Sequence, residues 1–370
     1  MLSVAVSWDL YLQTRSAIVL GNVGFVQVAP FLLFALFAGH FADTHDRRRM
    51  LTFTQLLFLA SSIALSVGST SVYLIYSCLF LTATARTFQG PARSALIPNS
   101  VPPEVLRNAI TWSTSANEIA TVTGPAAAGL LLASLGSKSV YIAQGLCSVG
   151  SFLCFYMLRP APRPRSETVS PGLRSVLDGV RFVRKNELVL AAMSLDMFAV
   201  LFGGAITLLP IYAVEILHTD ARGLGWLRAA PSLGAVTMAL LQTHTLRVHK
   251  AGAVLLWSVA AFGVATILFG ISQSFWLSFA MLILVGAFDN ISVILRHSLI
   301  QMETPDWVRG RVLAVNNIFI SCSNQLGAVE SGWAAALLGT VPSVVAGGFA
   351  TTLVVAVFAA RFRQLRHWKQ

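Results

Sequence analysis

The chain has 370 residues, of which 55% are hydrophobic and only 11% are charged. A formal net charge of +11 would suggest a nucleic-acid ligand in a soluble protein, but at a mean hydropathy of +0.71 it favours basic loops at a membrane surface, so we expect no nucleic-acid partner. The four cysteines lack CxxC or CxxH spacing. We therefore expect no metal and no cofactor.

The hydrophobic pattern predicts eleven membrane-spanning helices after a short apolar run from Met1 to Leu12. Most of them reach the ~20 residues that a bilayer requires. The initial run does not, so we expect a truncated first helix, arising either from an internal start methionine or from a natural truncation. In chain order the predicted spans are 20–41, 50–68, 72–90, 112–134, 139–158, 189–212, 223–243, 251–271, 275–295, 312–334 and 342–360.

Basic residues divide very unequally between the two sides of these spans. One side carries 21 Lys and Arg residues, including Arg47 to Arg49, Arg296, the linker and the C-terminal tail; we call it the base-rich side. The other, base-poor side carries 3, namely Arg15, Lys138 and Arg222. The positive-inside rule predicts that the base-rich side, with the linker and the C-terminus, is cytoplasmic.

Two sequence patterns recur at nearly one separation, which indicates an internal duplication. Gly24…Ala29-Pro30 recurs as Gly225…Ala230-Pro231 at a separation of 201, and Gly124…Gly129 recurs as Gly327…Gly332 at 203. An even number of helices lies between the copies, so the halves share one orientation. The predicted units are a six-helix bundle over 1–158 with an incomplete first helix, a cytoplasmic linker over 159–188, a second six-helix bundle over 189–361 and a tail over 362–370.

The segment from Gly39 to Arg49 connects the first two predicted spans. Its Gly39, Asp43, Arg47 and Arg48 are spaced as in the signature loop of the major facilitator superfamily, which this segment resembles. Thr44 replaces the usual Arg, and Asp46 the usual Gly. An acidic side chain at a helix end can accept hydrogen bonds from a neighbouring helix N-terminus or pair with a base, so we interpret Asp43 as a latch between helices.

Two other motifs resemble features of the same superfamily. Arg86-Thr87-Phe88-Gln89-Gly90 is similar to its Arg-x-x-Gln-Gly motif. Arg86 is then expected either to bind an acidic partner and modulate protonation or to extend toward the interface. The second is Gly124-Pro125-Ala126-Ala127-Ala128-Gly129, similar to the Gly-Pro-x-x-x-Gly feature of its antiporters. Its glycines, with Gly327 and Gly332 in the second half, predict close helix packing.

Four carboxylates fall within predicted spans, and such groups are expensive in a membrane unless they are neutral or paired. They are Glu118, Asp196, Asp289 and Glu330. We interpret Asp196 as the leading candidate for a coupled proton and Asp289 as the runner-up. Arg228 is the expected counter-ion of Asp196, and Asp289 and Glu330 could share it. The alternative is that the second-half group forms a structural cluster of ion pairs.

The run Pro305-Asp306…Arg309-Gly310-Arg311-Val312 is the most specific of several matches to one group within this superfamily. The chain thereby resembles the bacterial enterobactin-exporter-like group. The resemblance implies an all-α membrane protein with two six-helix bundles related by pseudo-two-fold symmetry. It further implies a monomer in the bacterial inner membrane that exports a small amphipathic molecule, siderophore or drug-like, by alternating access driven by protons.

Three other functions compete with export. The same fold could import a solute or flip lipids, and the short first helix is compatible with a non-transporting remnant. A membrane-embedded enzyme would need a catalytic pattern such as HExxH or GxSxG, which the spans lack. We therefore expect no enzymatic activity.

Overall fold

The computed structural model describes residues 1–68, 71–158, 173–245 and 250–368, which are almost entirely helical. Short 3-10 turns lie at Pro103–Val105 and Ala205–Leu208, and a π turn at Tyr212–Ile216. The α-helices are α1 Leu2–Thr14, α2 Ala17–Thr44, α3 Arg47–Gly68, α4 Val72–Ser100, α5 Leu106–Leu135, α6 Ser137–Met157, α7 Leu173–Lys185, α8 Glu187–Phe202, α9 Leu209–Ile211, α10 Ala221–Thr245, α11 Ala251–Ile271, α12 Phe275–Glu303, α13 Asp306–Leu338, α14 Thr340–Arg361 and α15 Arg363–His367.

Ten segments of the described residues are long and apolar enough to cross a membrane. They correspond to ten of the eleven predicted spans. The exception is α4, which has 29 residues but is less hydropathic, because Arg86 and Gln89 lie in its middle. Helix α1, with 13 residues, is shorter than a membrane span, as expected from the apolar run that encodes it.

The span over Glu187–Ile216 is interrupted in its middle. It begins at Asn186, whose side-chain Oδ1 accepts hydrogen bonds from the amides of Leu188 and Val189 at 3.1 Å. Helix α8 then ends at Gly203, and the chain continues as a 3-10 turn, α9 and a π turn. A Cβ on Gly204 would lie 2.7 Å from the carbonyl oxygen of Gly327, so only glycine allows this close approach of the break to α13.

Helix packing repeats between the first half, α1 to α6, and the second half, α7 to α15. In the first half α4 packs against both α2 and α3, and α3 packs against α6. In the second half α12 packs against both α10 and α11, and α11 packs against α14. The equivalent helices follow in the same order along the chain, as the sequence repeat predicts. The residue boundaries of the two units stay a prediction.

Among the residues that the structure describes, the two halves share a hydrophobic core only toward the base-poor side. There, buried Leu10 and Tyr141 of the first half belong to one cluster with Leu208, Leu224 and Phe269 of the second. Toward the base-rich side the described residues form separate clusters. One contains Leu51, Ala92 and Leu96 of the first half, and a larger one lies within the second half. The molecule is therefore closed at its base-poor end, where the halves meet.

Helix α7 belongs structurally to the second half. Asp178 pairs with Arg311 of α13 at 3.4 Å, and a Cβ on Gly179 would lie 2.8 Å from the Arg311 carbonyl oxygen. Val183 is buried in the second-half core. The predicted linker thus includes a helix docked on α13, and its residues 159–172 lie outside the described part of the chain.

Candidate functional site

A cavity of about 330 Å³ lies between the two halves and is lined by both. Its size is at the lower end of the range of small-molecule sites. Two of the lining residues are charged, Arg228 and Asp289. The polar lining residues are Ser3, Ser7, Gln27, Thr207, Asn324 and Gln325, and the larger apolar ones are Val6, Leu20, Val23, Leu79, Val200, Ile206, Phe262 and Val285.

Arg228 and Asp289 enter the cavity from two helices that are in unusually close contact. A Cβ on Gly286 of α12 would lie 1.8 Å from the carbonyl oxygen of Pro231 in α10, so the absence of a side chain permits the approach. Arg228 precedes Pro231 by about one turn, and Asp289 follows Gly286 by the same distance. The crossing therefore brings both charged residues to the cavity wall.

Arg228 forms a hydrogen bond across the cavity. One Nη atom donates to Ser7 Oγ of α1 at 3.0 Å, and the Nε atom is buried without a hydrogen-bond partner. Asp289 forms no ion pair and no hydrogen bond with any residue that the structure describes. The cavity therefore holds a cation and a carboxylate that do not neutralise each other.

The predicted pairing of Asp196 with Arg228 is wrong. Asp196 forms an ion pair with Arg296 of α12, and these two residues are 6% and 1% exposed. The base count treated Arg296 as a loop residue, but it lies buried within α12. The pair satisfies Asp196 inside the second half, which leaves Arg228 free to reach the first half.

A second, water-sized void lies beside this ion pair. It measures about 10 Å³ and is lined by Asp196, Ser292 and Asp289 among other residues. A space of that size, with several polar groups, is close to the minimum that holds one water molecule. The ion pair and the cavity carboxylate are thus separated by a single small polar space.

The other ionisable candidates lie apart from this group. Glu330 of α13 accepts a hydrogen bond from Ser331 Oγ at 3.4 Å and is not among the cavity-lining residues. Glu118 on α5 and Arg86 on α4 are exposed, and neither lines the cavity. Of the predicted candidates, the structure brings Asp289 and Arg228 to one cavity and sets Asp196 directly behind it.

The signature loop holds helices together through Arg48. Its guanidinium donates to the carbonyl oxygen of Phe155 at 3.1 Å and to that of Tyr156, and it stacks 5.2 Å from the Tyr156 ring. These carbonyls belong to the last turn of α6, where a cation is favourable. Arg47 donates to the Ala42 carbonyl at 3.2 Å.

Two other members of the loop carry less information. A Cβ on Gly39 would meet no atom within 4 Å, so close packing does not explain this glycine. The proposed latch Asp43 lies outside the residues whose side chains are described. Its role stays a prediction.

The halves cross at two pairs of glycines near the base-poor end. Gly129 of α5 faces Gly225 of α10, and a Cβ on Gly225 would lie 2.7 Å from Gly129 Cα. Gly332 of α13 faces Gly21 of α2, and a Cβ on Gly332 would lie 2.4 Å from Gly21 Cα. Among the described residues, two side-chain contacts join the halves in addition to the Arg228–Ser7 hydrogen bond, from Trp333 Nε1 to Asn22 Oδ1 at 3.1 Å and from Tyr11 to Glu215.

The other small residues of the predicted packing motifs have distinct neighbours. Pro125 supplies a carbonyl oxygen 2.9 Å from a Cβ built on Gly225, and a Cβ built on Gly124 would lie 3.6 Å from the Met1 nitrogen. Gly327 packs against the Val200 carbonyl. The structure places Gly129, Gly327 and Gly332 in close contact with other helices, and it adds the opposing Gly21, which no sequence motif indicated.

This architecture is that of a major facilitator transporter. A bacterial homolog of the human lysosomal transporter Spinster, in an inward-facing and unoccupied conformation, aligns with a TM-score of 0.76 and 14% identity over 100% of this chain and 95% of its own. The nucleoside transporter NupG aligns with a TM-score of 0.74 and 13% identity, and the alignment covers 97% of this chain and 94% of NupG. The POT family transporter PepTSo aligns with a TM-score of 0.73 and 13% identity, and the alignment covers 98% of this chain and 96% of PepTSo.

Residues 1–370 match the family model described as transmembrane secretion effector, and the chain belongs to that family. Among curated relatives, the enterobactin exporter EntS of Escherichia coli strain K12 is 24% identical over 380 residues, covering 100% of this chain and 89% of the relative. EntS of Shigella dysenteriae gives the same values. The protein is a multi-pass membrane transporter of small molecules, and its relatives are transporters rather than enzymes.

Proposed function

We propose that the protein is a secondary active exporter of the bacterial inner membrane that moves a small amphipathic molecule, such as a siderophore, by alternating access. The observation that carries the proposal is the cavity between the halves, with both polar and apolar lining residues. The similarity of the chain to the enterobactin exporters supports a siderophore as the substrate.

The orientation follows from the basic residues. Without Arg296, which is buried within α12, the base-rich side still carries 20 Lys and Arg residues against 3 on the base-poor side, so it faces the cytoplasm. Because the halves share a core only toward the base-poor side, the conformation described is inward-facing, ready to receive a cytoplasmic substrate. Outward opening then requires the glycine crossings to separate.

Cysteine labelling tests this orientation. With the four native cysteines replaced by serine, Arg181→Cys on α7 should resist a membrane-impermeant maleimide added to intact cells, because α7 would lie in the cytoplasm. The Arg181 side chain is 71% exposed, so a cysteine there should react once the membrane is opened. Lys138→Cys, exposed on the base-poor side, is the matched control and should react in intact cells. The reverse pattern would invert the topology.

We propose Asp289, rather than Asp196, as the carboxylate that carries the coupled proton. A coupling group must exchange its proton with the cavity and must be free to change its charge. Asp289 lines the cavity without a partner, whereas Asp196 is held by Arg296. Asp196 and Arg296 do not carry the proton themselves. They act as positioning residues for Asp289, from which Asp196 is separated by the small void.

Export from cells and proton movement in vesicles test the proposed function together. Cells that lack their own enterobactin exporter should release enterobactin when this protein is produced, and inverted vesicles should show enterobactin-dependent proton movement with a pH-sensitive dye. Asp289→Asn is expected to abolish the proton movement, because asparagine binds no proton. Asp220→Asn, which alters an exposed pair with Arg222 at 3.9 Å, is the matched control.

Full proton coupling in Asp289→Asn would refute the assignment and redirect the search to Glu330 or Glu118. Solute counterflow into oriented vesicles would separate export from import. Absence of any enterobactin-dependent signal would reject this substrate.

A further inference from the structure

The contact between Arg228 and Ser7 joins opposite halves of the molecule through the middle of the cavity. Arg228 lies on α10 of the second half, and Ser7 on α1 of the first. The Ser7 hydroxyl donates to the Val4 carbonyl at 3.1 Å and accepts from Arg228 at 3.0 Å. The Ser7 hydroxyl is therefore both a donor and an acceptor in the conformation described.

Arg228 is only partly satisfied by this contact. A guanidinium offers five N–H donors, and a neutral hydroxyl compensates its charge poorly. Its Nε atom is buried without a partner, and no carboxylate lies within 4.0 Å among the described residues. The cavity thus presents an uncompensated cation beside apolar Leu20, Val23 and Phe262.

We propose that Arg228 binds an anionic group of the transported substrate, and that this group replaces Ser7 as its partner. The inference rests on the proposed function and narrows the substrate to organic anions with an apolar body, such as carboxylates or catecholates. A charged acceptor forms a shorter and roughly twice stronger hydrogen bond with a guanidinium than a hydroxyl does.

The exchange of partners links binding to movement. When the anion takes the guanidinium, Ser7 loses its bond to the second half while keeping its own bond to Val4. Substrate binding thereby removes one of the polar contacts between the halves. A neutral analogue of the same shape would not compete with Ser7 in this way.

A matched pair of probes tests the charge requirement in the purified full chain. 2-Naphthoate is an aromatic anion at neutral pH, and 2-naphthamide has nearly the same shape without charge. Calorimetric titration should give an affinity for naphthoate at least about tenfold higher than for naphthamide, as expected for a hydrogen bond to a charged group. Arg228→Gln should remove this preference, and Arg228→Lys should retain part of it.

Ser7→Ala tests the exchange itself. Without the competing hydroxyl, the naphthoate-to-naphthamide preference should rise about threefold, the lower range for a neutral hydrogen bond. Thr14→Ala removes another hydroxyl of α1, one that donates to the Leu10 carbonyl at 2.7 Å and does not line the cavity, and its preference should equal that of the wild type. Melting temperatures check that each variant is folded.

Three results would overturn the proposal: equal or absent binding of both probes by the wild type, a preference that survives Arg228→Gln, or a preference that falls in Ser7→Ala. If Arg228→Gln does not fold, the naphthoate-to-naphthamide preferences of Ser7→Ala and Arg228→Lys still test the proposal. Stronger binding of a cationic probe such as 2-naphthylmethylammonium would assign recognition to Asp289 instead. If the protein prefers naphthoate but exports no enterobactin, the proposed anion site is supported and the proposed export function is refuted.

Discussion

Arg296→Gln is expected to lower the free energy of unfolding by about 3–5 kcal/mol, because it leaves the Asp196 carboxylate buried without its partner. Both side chains are almost inaccessible, at 2% and 8% exposure, so water cannot replace the lost contact. The measurement is thermal or denaturant unfolding in detergent micelles, together with the amount of protein in the membrane.

Two variants make this result specific to the buried pair. Arg361→Gln disrupts an exposed pair with Glu187 at 3.9 Å and should change stability by no more than about 1 kcal/mol. Combining Arg296→Gln with Asp196→Asn removes both charges and should recover a large part of the loss. Equal stability of Arg296→Gln and wild type would contradict the buried ion pair.

Gly225→Val is expected to abolish transport, since the added side chain would occupy the crossing with α5. The first added carbon alone would lie 2.7 Å from Gly129 Cα and 2.9 Å from the Pro125 carbonyl oxygen. Overpacking of this kind costs about 1–3 kcal/mol, which disfavours the closed base-poor end by roughly 5- to 150-fold. The measurements are enterobactin export and the reactivity of a cysteine at Ser7 toward a maleimide added from outside.

Gly150→Val is the matched control, because a Cβ on Gly150 of α6 would meet no atom within 4 Å. It should leave export and external reactivity at Ser7 close to those of the unsubstituted protein. We expect Gly225→Val to raise that reactivity by holding the base-poor end open. A Gly225→Val protein that transports normally would rule out the crossing as a gate.

Hydropathy located most of the membrane helices but ended some of them too early, and α12 shows why. The predicted span 275–295 stops just before Arg296, whereas α12 continues to Glu303. A window of hydropathy penalises a charge wherever it stands, and it cannot include an acidic partner on another helix. Burial of Arg296 depends on Asp196 of α8, about one hundred residues earlier, so this part of the site required tertiary structure.

Arg48 and Gly21 are two further residues whose partners lie on distant helices and could not be predicted from sequence. Paired arginines after a membrane span are sufficiently explained by topology, so nothing in the sequence indicates that Arg48 binds the carbonyl end of α6. Gly21 lies outside every recognised motif, and its importance comes from the opposing Gly332. The sequence thus predicted which residue types line contacts, while the partners depended on how the halves dock.

The two glycine crossings have a consequence for the origin of the chain. Gly129 and Gly332 are equivalent positions of the repeat, and Gly225 is equivalent to Gly24, one turn from Gly21. Each half therefore supplies one partner to each crossing, as in an isologous dimer, in which the same surface of both subunits forms the contact. We infer that this interface already suited two separate copies of a single half. The two copies of the cavity wall nevertheless differ, because the charged lining residues Arg228 and Asp289 both come from the second half.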